Sequence, residues 1–160
     1  VGAGELREAL DDLEMEYAAA PMPLDGARRR LEQLPSTRWA LVTSASRRVA
    51  EHRLLHAGLP LPRLLVCAGD VVRGKPDPEP YLLAASRLGL APADCLVFED
   101  APAGIASALQ AGCQVVQMGG TRRYDDRLKG WLRDWRGIEI EVAPDGLHLH
   151  LSAPLPAEAG

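Results

Sequence analysis

The chain has 160 residues, enough for one domain with a real core. Eighteen Lys and Arg against 22 Asp and Glu leave a net charge of −4, a mild acidity that argues against nucleic acid or an anionic membrane as partner. With 47% hydrophobic and 25% charged residues, wholesale disorder is excluded. Apolar runs such as Trp39-Ala40-Leu41-Val42 are too short to span a bilayer. No export signal opens the chain at Val1, and Cys67, Cys95 and Cys113 form no C-x-x-C pair. Buried thiols in a reducing cytoplasm are therefore expected.

In chain order, Glu5 to Ala20 predicts a helix with Leu6, Leu10, Leu13 and Tyr17 on one stripe. Pro21-Met22-Pro23 ends it and marks the one candidate boundary. A second helix follows from about Asp25 to Leu34. Short apolar runs (Trp39–Val42, Leu64–Cys67, Cys95–Phe98, Val115–Met118) then alternate with helical stretches (Arg47–Ala57, Pro80–Leu88, Ala103–Ala111, Asp125–Arg136). Apolar strands separated by helices predict an α/β domain: a doubly wound, Rossmann-like parallel sheet with flanking helices. In the last predicted helix, Leu128, Trp131, Leu132 and Trp135 form a core-facing stripe. The pattern then changes to period two. Ile138, Ile140 and Val142, a Pro144-Asp145-Gly146 turn, and Leu147, Leu149 and Leu151 predict an edge hairpin with one wet face. Residues after Pro154 form a tail.

Ligands of open α/β sheets bind at the carboxyl ends of the strands. After the first strand stand Thr43, Ser44, Ala45 and Ser46, at the start of a helix. Hydroxyls and free N–H groups there suit a phosphate, although they also suit a plain N-cap. Next comes Gly74-Lys75-Pro76-Asp77-Pro78. Gly69, Gly74 and Lys75 have nucleotide-loop spacing, but Pro76 replaces the Ser or Thr such a loop needs. What remains is a lysine held between glycine and proline, suited to an anion or to a solvated turn. The third strand ends in Glu99 and Asp100 just before a helix. Carboxylates there can partner the helix dipole or hold Mg²⁺.

Thr43–Ser46 (T-S-A-S), Gly74–Tyr81 (G-K-P-D-P-E-P-Y) and Phe98–Ile105 (F-E-D-A-P-A-G-I) resemble the second, third and fourth motifs of the haloacid dehalogenase-like hydrolases. The similarity runs from about Asp25 to Gly120, nearest the helical-cap phosphatases of sugar and polyol phosphates. The resemblance implies that Thr43 and Ser44 bind phosphate and that Lys75 neutralises charge between it and an aspartate nucleophile. It also implies that Asp100, helped by Glu99, holds Mg²⁺. Residues 1–22 would then end a helical cap, 23–153 form the core and 154–160 the tail.

One motif is missing. The family opens with an apolar strand and D-x-D-G-T, whose first Asp attacks phosphorus. The Asp-Gly pairs here are Asp25-Gly26, with Pro23 where that nucleophile would stand, and Asp145-Gly146, in the hairpin turn. Neither substitutes. In the family that strand lies between those matching Trp39–Val42 and Cys95–Phe98, so the core is expected to lack a central strand. Residues 1–160 are expected to need a strand from a longer polypeptide or elsewhere, and to be inactive alone.

Other clusters read as structure. His52 and His56 have zinc-protease spacing, but Arg53 replaces the catalytic Glu. His148 and His150 have no third ligand nearby, and Arg28-Arg29-Arg30 is a solvated face. The expected activity is Mg²⁺-dependent hydrolysis of a small phosphorylated metabolite through an aspartyl-phosphate. The alternatives are a sugar phosphomutase of the same fold and a non-catalytic phosphate-binding module.

Overall fold

The computed structural model describes residues 2–17 and 22–151. The end of the predicted first helix, Pro21 and the predicted tail lie outside the described residues. Helix α1 (Ala3–Tyr17) opens the fold, followed by α2 (Ala27–Gln33). The alternating part comprises β1 (Ala40–Val42), α3 (Arg47–His56), β2 (Leu64–Val66), α4 (Glu79–Leu88), β3 (Leu96–Glu99), α5 (Pro102–Gln110), β4 (Gln114–Met118) and β5 (Gly130–Leu132). The hairpin of β6 (Ile138–Ala143) and β7 (Gly146–Leu151) closes it.

The α/β class and the parallel pairing follow the sequence pattern, but the strands form separate sheets. Among the described residues β1 pairs only with β2. β3, β4 and β5 form a second parallel sheet with β4 in its middle. Among the described residues no ladder joins β1 to β3, although Val42 and Val97 both pack against one core cluster around Tyr81, Ile105 and Ala108. Every residue of β1 is half-buried, as are Leu96, Val97 and Phe98 of β3, whereas Val115 to Met118 of β4 are buried. A strand covered on both faces loses its water; the edge strands β2 and β5, with two of three residues buried each, show that pairing on both sides is not required.

The predicted Asp125–Arg136 helix is incorrect. Residues 130–132 are strand β5, followed by a short 3₁₀ turn at Trp135–Gly137. The helical stripe of Leu128, Trp131, Leu132 and Trp135 is a coincidence of spacing. Leu128 packs in the Tyr81 cluster and Leu132 in another, with Val116, Met118 and Ile138. Trp131 donates its indole N–H to Gly119 O (2.7 Å). Gly130 carried the warning, since glycine inside a helix costs about 1 kcal/mol. Here it has a use: a Cβ at 130 would sit 3.0 Å from Leu151 Cδ1, so glycine lets the hairpin close over β5.

The hairpin itself is as predicted, with Glu139 opposite His150 and Glu141 opposite His148. It is not an edge extension of the parallel sheet. It forms its own sheet, and Ile138, Ile140, Leu149 and Leu151 pack on the cluster of Val116, Met118 and Leu132. His148 and His150 are exposed and face Asp145 (3.0 Å) and Glu141 (3.9 Å). The three cysteines are free; Cys67 and Cys113 are buried and Cys95 is half-buried.

Helix α1 meets the core at α3, through ion pairs Asp12–Arg48 (2.7 Å) and Glu14–Arg53. Its Leu6, Leu10 and Leu13 are each more than half exposed.

Candidate active site

The residues singled out in the sequence gather at the C-terminal ends of β1 and β3. Thr43 N–H donates to Val66 O (2.9 Å), carrying the β1–β2 ladder one residue further. The chain then turns, with Ala45 N–H donating to Thr43 Oγ1 (3.1 Å). The N-cap of α3 is Ser46, whose Oγ accepts from Val49 N (3.3 Å). Capping therefore consumes Ser46 and leaves Ser44 exposed at the turn.

Lys75 ties the two sheets together. Its side chain is 12% exposed, and its ammonium donates to Val42 O, at the end of β1 (3.1 Å), and to Glu99 Oε1, at the end of β3. Thr43 and Ser44 are the two residues after Val42, and Asp100 follows Glu99. All five expected residues thus stand beside the two points the ammonium touches. The Lys75 loop is braced from α5, where Ser107 Oγ donates to Asp77 O (2.6 Å) and Gln110 Nε2 to Pro76 O (3.2 Å).

The paired carboxylates face different surroundings. Asp100 is exposed. Glu99 is buried and turned back under α5, where a Cβ on Gly104 would overlap its carboxylate. Glu99 Oε1 accepts from Lys75 and from Tyr81 Oη (2.7 Å); Oε2 accepts from Asp100 N (3.1 Å) and Ala101 N (3.3 Å). Burial pushes its pKa up, but the Lys75 charge and these donors outweigh burial and hold it below the ordinary range. Burial and the adjacent Glu99 charge raise the Tyr81 phenol far above its usual value, so it stays a donor.

Tyr81 closes the Gly74–Tyr81 motif but was given no role of its own, and Ser107 was not singled out. The available signal for Tyr81 was its place on an apolar face of α4 with Ala84 and Ala85. That signal reads as packing and says nothing of the phenol.

Mg²⁺ prefers hard oxygen ligands and uses one or two carboxylates together with water and phosphate. Asp100 fits such a role. The Glu99 carboxylate is already occupied, and among the described residues no three His, Cys, Asp or Glu side chains converge as a metal cage.

Parallel strands with helical crossovers, hydroxyls at a helix start, a fixed ammonium and an outward carboxylate define an α/β protein with a polar cluster at its strand ends, where ligands of such folds bind. The haloacid dehalogenase-like hydrolase family profile matches residues 2–112, and the chain belongs to that family. It is 58% identical to hexitol phosphatase A of Escherichia coli over 78 residues, covering 49% of this chain and 36% of that protein. It is 35% identical to glycerol-1-phosphate phosphohydrolase 2 of Saccharomyces cerevisiae over 124 residues, covering 71% and 50%. Among solved structures, β-phosphoglucomutase of Clostridium difficile superposes with a TM-score of 0.59 and 28% identity, covering 74% of this chain and 53% of that one. The chain spans half or less of the length of these two curated relatives.

Proposed function

We propose that the protein to which this chain belongs hydrolyses small phosphomonoesters of the sugar or polyol phosphate class. The observation that carries the reading is the nearly buried Lys75 ammonium between the ends of β1 and β3. Two named relatives, a hexitol phosphatase and a glycerol-1-phosphate phosphohydrolase, support the substrate class.

In this reading the Thr43 and Ser44 hydroxyls and the Ser44 backbone N–H hold the phosphate oxygens, since the Thr43 and Ala45 N–H groups are already paired. Lys75 supplies fixed positive charge where negative charge builds during transfer, a stabilisation that needs no reorganisation. Asp100 would hold Mg²⁺, which when bound screens phosphate charge. The attacking carboxylate of the aspartyl-phosphate route would come from a D-x-D-G-T strand seated between β1 and β3. The missing ladder and the half-buried faces of both strands support that placement. Residues 1–22 then end a helical cap, 23–153 form the core, and the reaction belongs in the cytoplasm.

The test expresses residues 1–160 alone and again with an apolar strand, D-x-D-G-T and a cap restored upstream. Hexitol and glycerol phosphates are the substrates, in Mg²⁺. Only the restored protein should release phosphate, and Asp100→Ala in it should abolish Mg²⁺-dependent phosphate binding. Equal activity of both forms would overturn the strand assignment. The similarity to a β-phosphoglucomutase keeps a second reading open: a mutase would return an isomeric sugar phosphate instead of free phosphate.

A further inference from the structure

Glu99 was expected beside Asp100 at a metal, but its surroundings describe another role. A carboxylate has about four lone-pair sites, and Glu99 receives four donors: Lys75, Tyr81 and the N–H groups of Asp100 and Ala101. A metal could bind it only by expelling one of them. Lys75 is held from three sides. Val42 O and Glu99 Oε1 accept two of its three N–H donors, and the Tyr81 ring lies below, with Nζ 5.1 Å from the ring centroid. Among the described residues this leaves one N–H for a ligand.

The geometry assigns Tyr81 as a positioning residue for Lys75. Its hydroxyl shares Glu99 Oε1 with the ammonium, and its ring face closes one side of it, so that Glu99 and Tyr81 together orient the lysine while Asp100 alone remains for a metal. The value of that orientation to phosphate binding rests on the function proposed above; the contact itself does not.

Three features make the assignment specific to Tyr81. It is 5% exposed, so water is a poor substitute for its hydroxyl. A lysine is a compact charge on a flexible four-carbon stem and does not orient itself. An aromatic face near an ammonium in a desolvated site attracts it beyond simple contact. Phenylalanine would keep the ring and lose the hydroxyl; leucine would lose both.

The chain has only two lysines, Lys75 and the exposed Lys129, so ¹⁵N-lysine labelling isolates the ammonium with an internal control. In the wild-type chain, Lys75 should give a slowly exchanging Nζ–H resonance and a nuclear Overhauser contact from its ε-protons to the Tyr81 ring. Tyr81→Phe should speed Lys75 Nζ–H exchange roughly tenfold, the equivalent of about one hydrogen bond, with Lys129 unchanged. Tyr81→Leu should also erase the ring-current shift of the Lys75 side chain. Tyr81→Phe should weaken vanadate binding in the same direction as Lys75→Met, by less. Unchanged Lys75 exchange in folded Tyr81→Phe would overturn the assignment. Should that variant fail to fold, the wild-type Overhauser contact decides, its presence supporting the role and its absence overturning it. If exchange responds but Lys75→Met binds vanadate like the wild type, Tyr81 stands as the positioning residue and the phosphate reading falls.

Discussion

The two parallel sheets are built from the same kind of sequence and differ in what lies beside them. β4 has a neighbour on each side, and the hairpin packs on the apolar cluster to which it contributes; Val115 and Val116 are fully buried. Among the described residues β1 has β2 on one side only, and all three of its residues are half-buried. An apolar run therefore does not guarantee a core. Burial depends on what covers a strand: the edge strands β2 and β5 each bury two of three residues, whereas β1 buries none. Among the described residues β1 and β3 each have one unpaired edge. Lys75 bridges that gap with a side chain where a ladder would otherwise run.

The largest expected effect breaks the comparison directly. Leu132→Ala, in the covered sheet, should destabilise the chain by about 2–5 kcal/mol, as for other buried leucines. Leu41→Ala in β1 should cost roughly half as much or less, because its side chain loses less contact with water on folding. Chemical denaturation of both variants measures the difference. Equal losses would mean that β1 is as well packed as β5. Restoring the upstream strand should raise the cost at Leu41 toward that at Leu132.

A smaller effect sharpens the role of the bridge. Gly104→Ala lies in helix α5, where alanine ordinarily gains about 1 kcal/mol over glycine. Here the new methyl meets the Glu99 carboxylate, so the sign should reverse to a loss of about 1–3 kcal/mol, typical of overpacking. Thermal unfolding compared with Gly112→Ala is a poor control, since Gly112 has positive φ; Ser86→Ala in α4 serves better. A stabilised Gly104→Ala would show that Glu99 does not need that space.

The smallest effect falls on the hairpin over the covered sheet. The Asp145 hydrogen bond and charge raise the His148 pKa, and the same bond lowers that of Asp145. The raised His148 stabilises the folded hairpin below its ordinary pKa of about 6.5, and this is lost as pH rises through the higher folded value. Asp145 contributes above its ordinary value and loses that contribution as pH falls through its lowered one. The pair is strongest between the two folded values. Asp145→Asn should return His148 toward its ordinary value in a proton NMR titration, with little change in unfolding temperature because both groups are exposed.

Much of this was legible in the sequence because periodicity and strand-end chemistry are local. The strand–helix rhythm, the hairpin with its wet histidine face, and the gathering of Lys75 and Glu99 at the strand ends all follow from neighbours a few residues away or from the rule for strand ends; their direct pairing does not. The residues 125–136 were misread because helix and strand patterns coincide there, and the deciding contact was Leu151 of the hairpin closing over Gly130. The split between Glu99 and Asp100 could not be seen either. Adjacent carboxylates look alike in a sequence, whereas burial under α5 and a phenol from α4 separate them in space.

Gln117 carries a consequence of its own. It is fully buried on β4, where its amide nitrogen donates to Gly119 O (3.3 Å) and Arg122 O (2.8 Å), and its oxygen accepts from Tyr124 N (3.0 Å). The side chain thus continues the strand past its own end, reading two carbonyls and one amide as a backbone would. Glutamate has the same shape but only acceptors, so it would set a negative charge against two carbonyl oxygens. Gln117→Glu is therefore expected to loosen the 119–124 loop, although it changes only one side-chain atom.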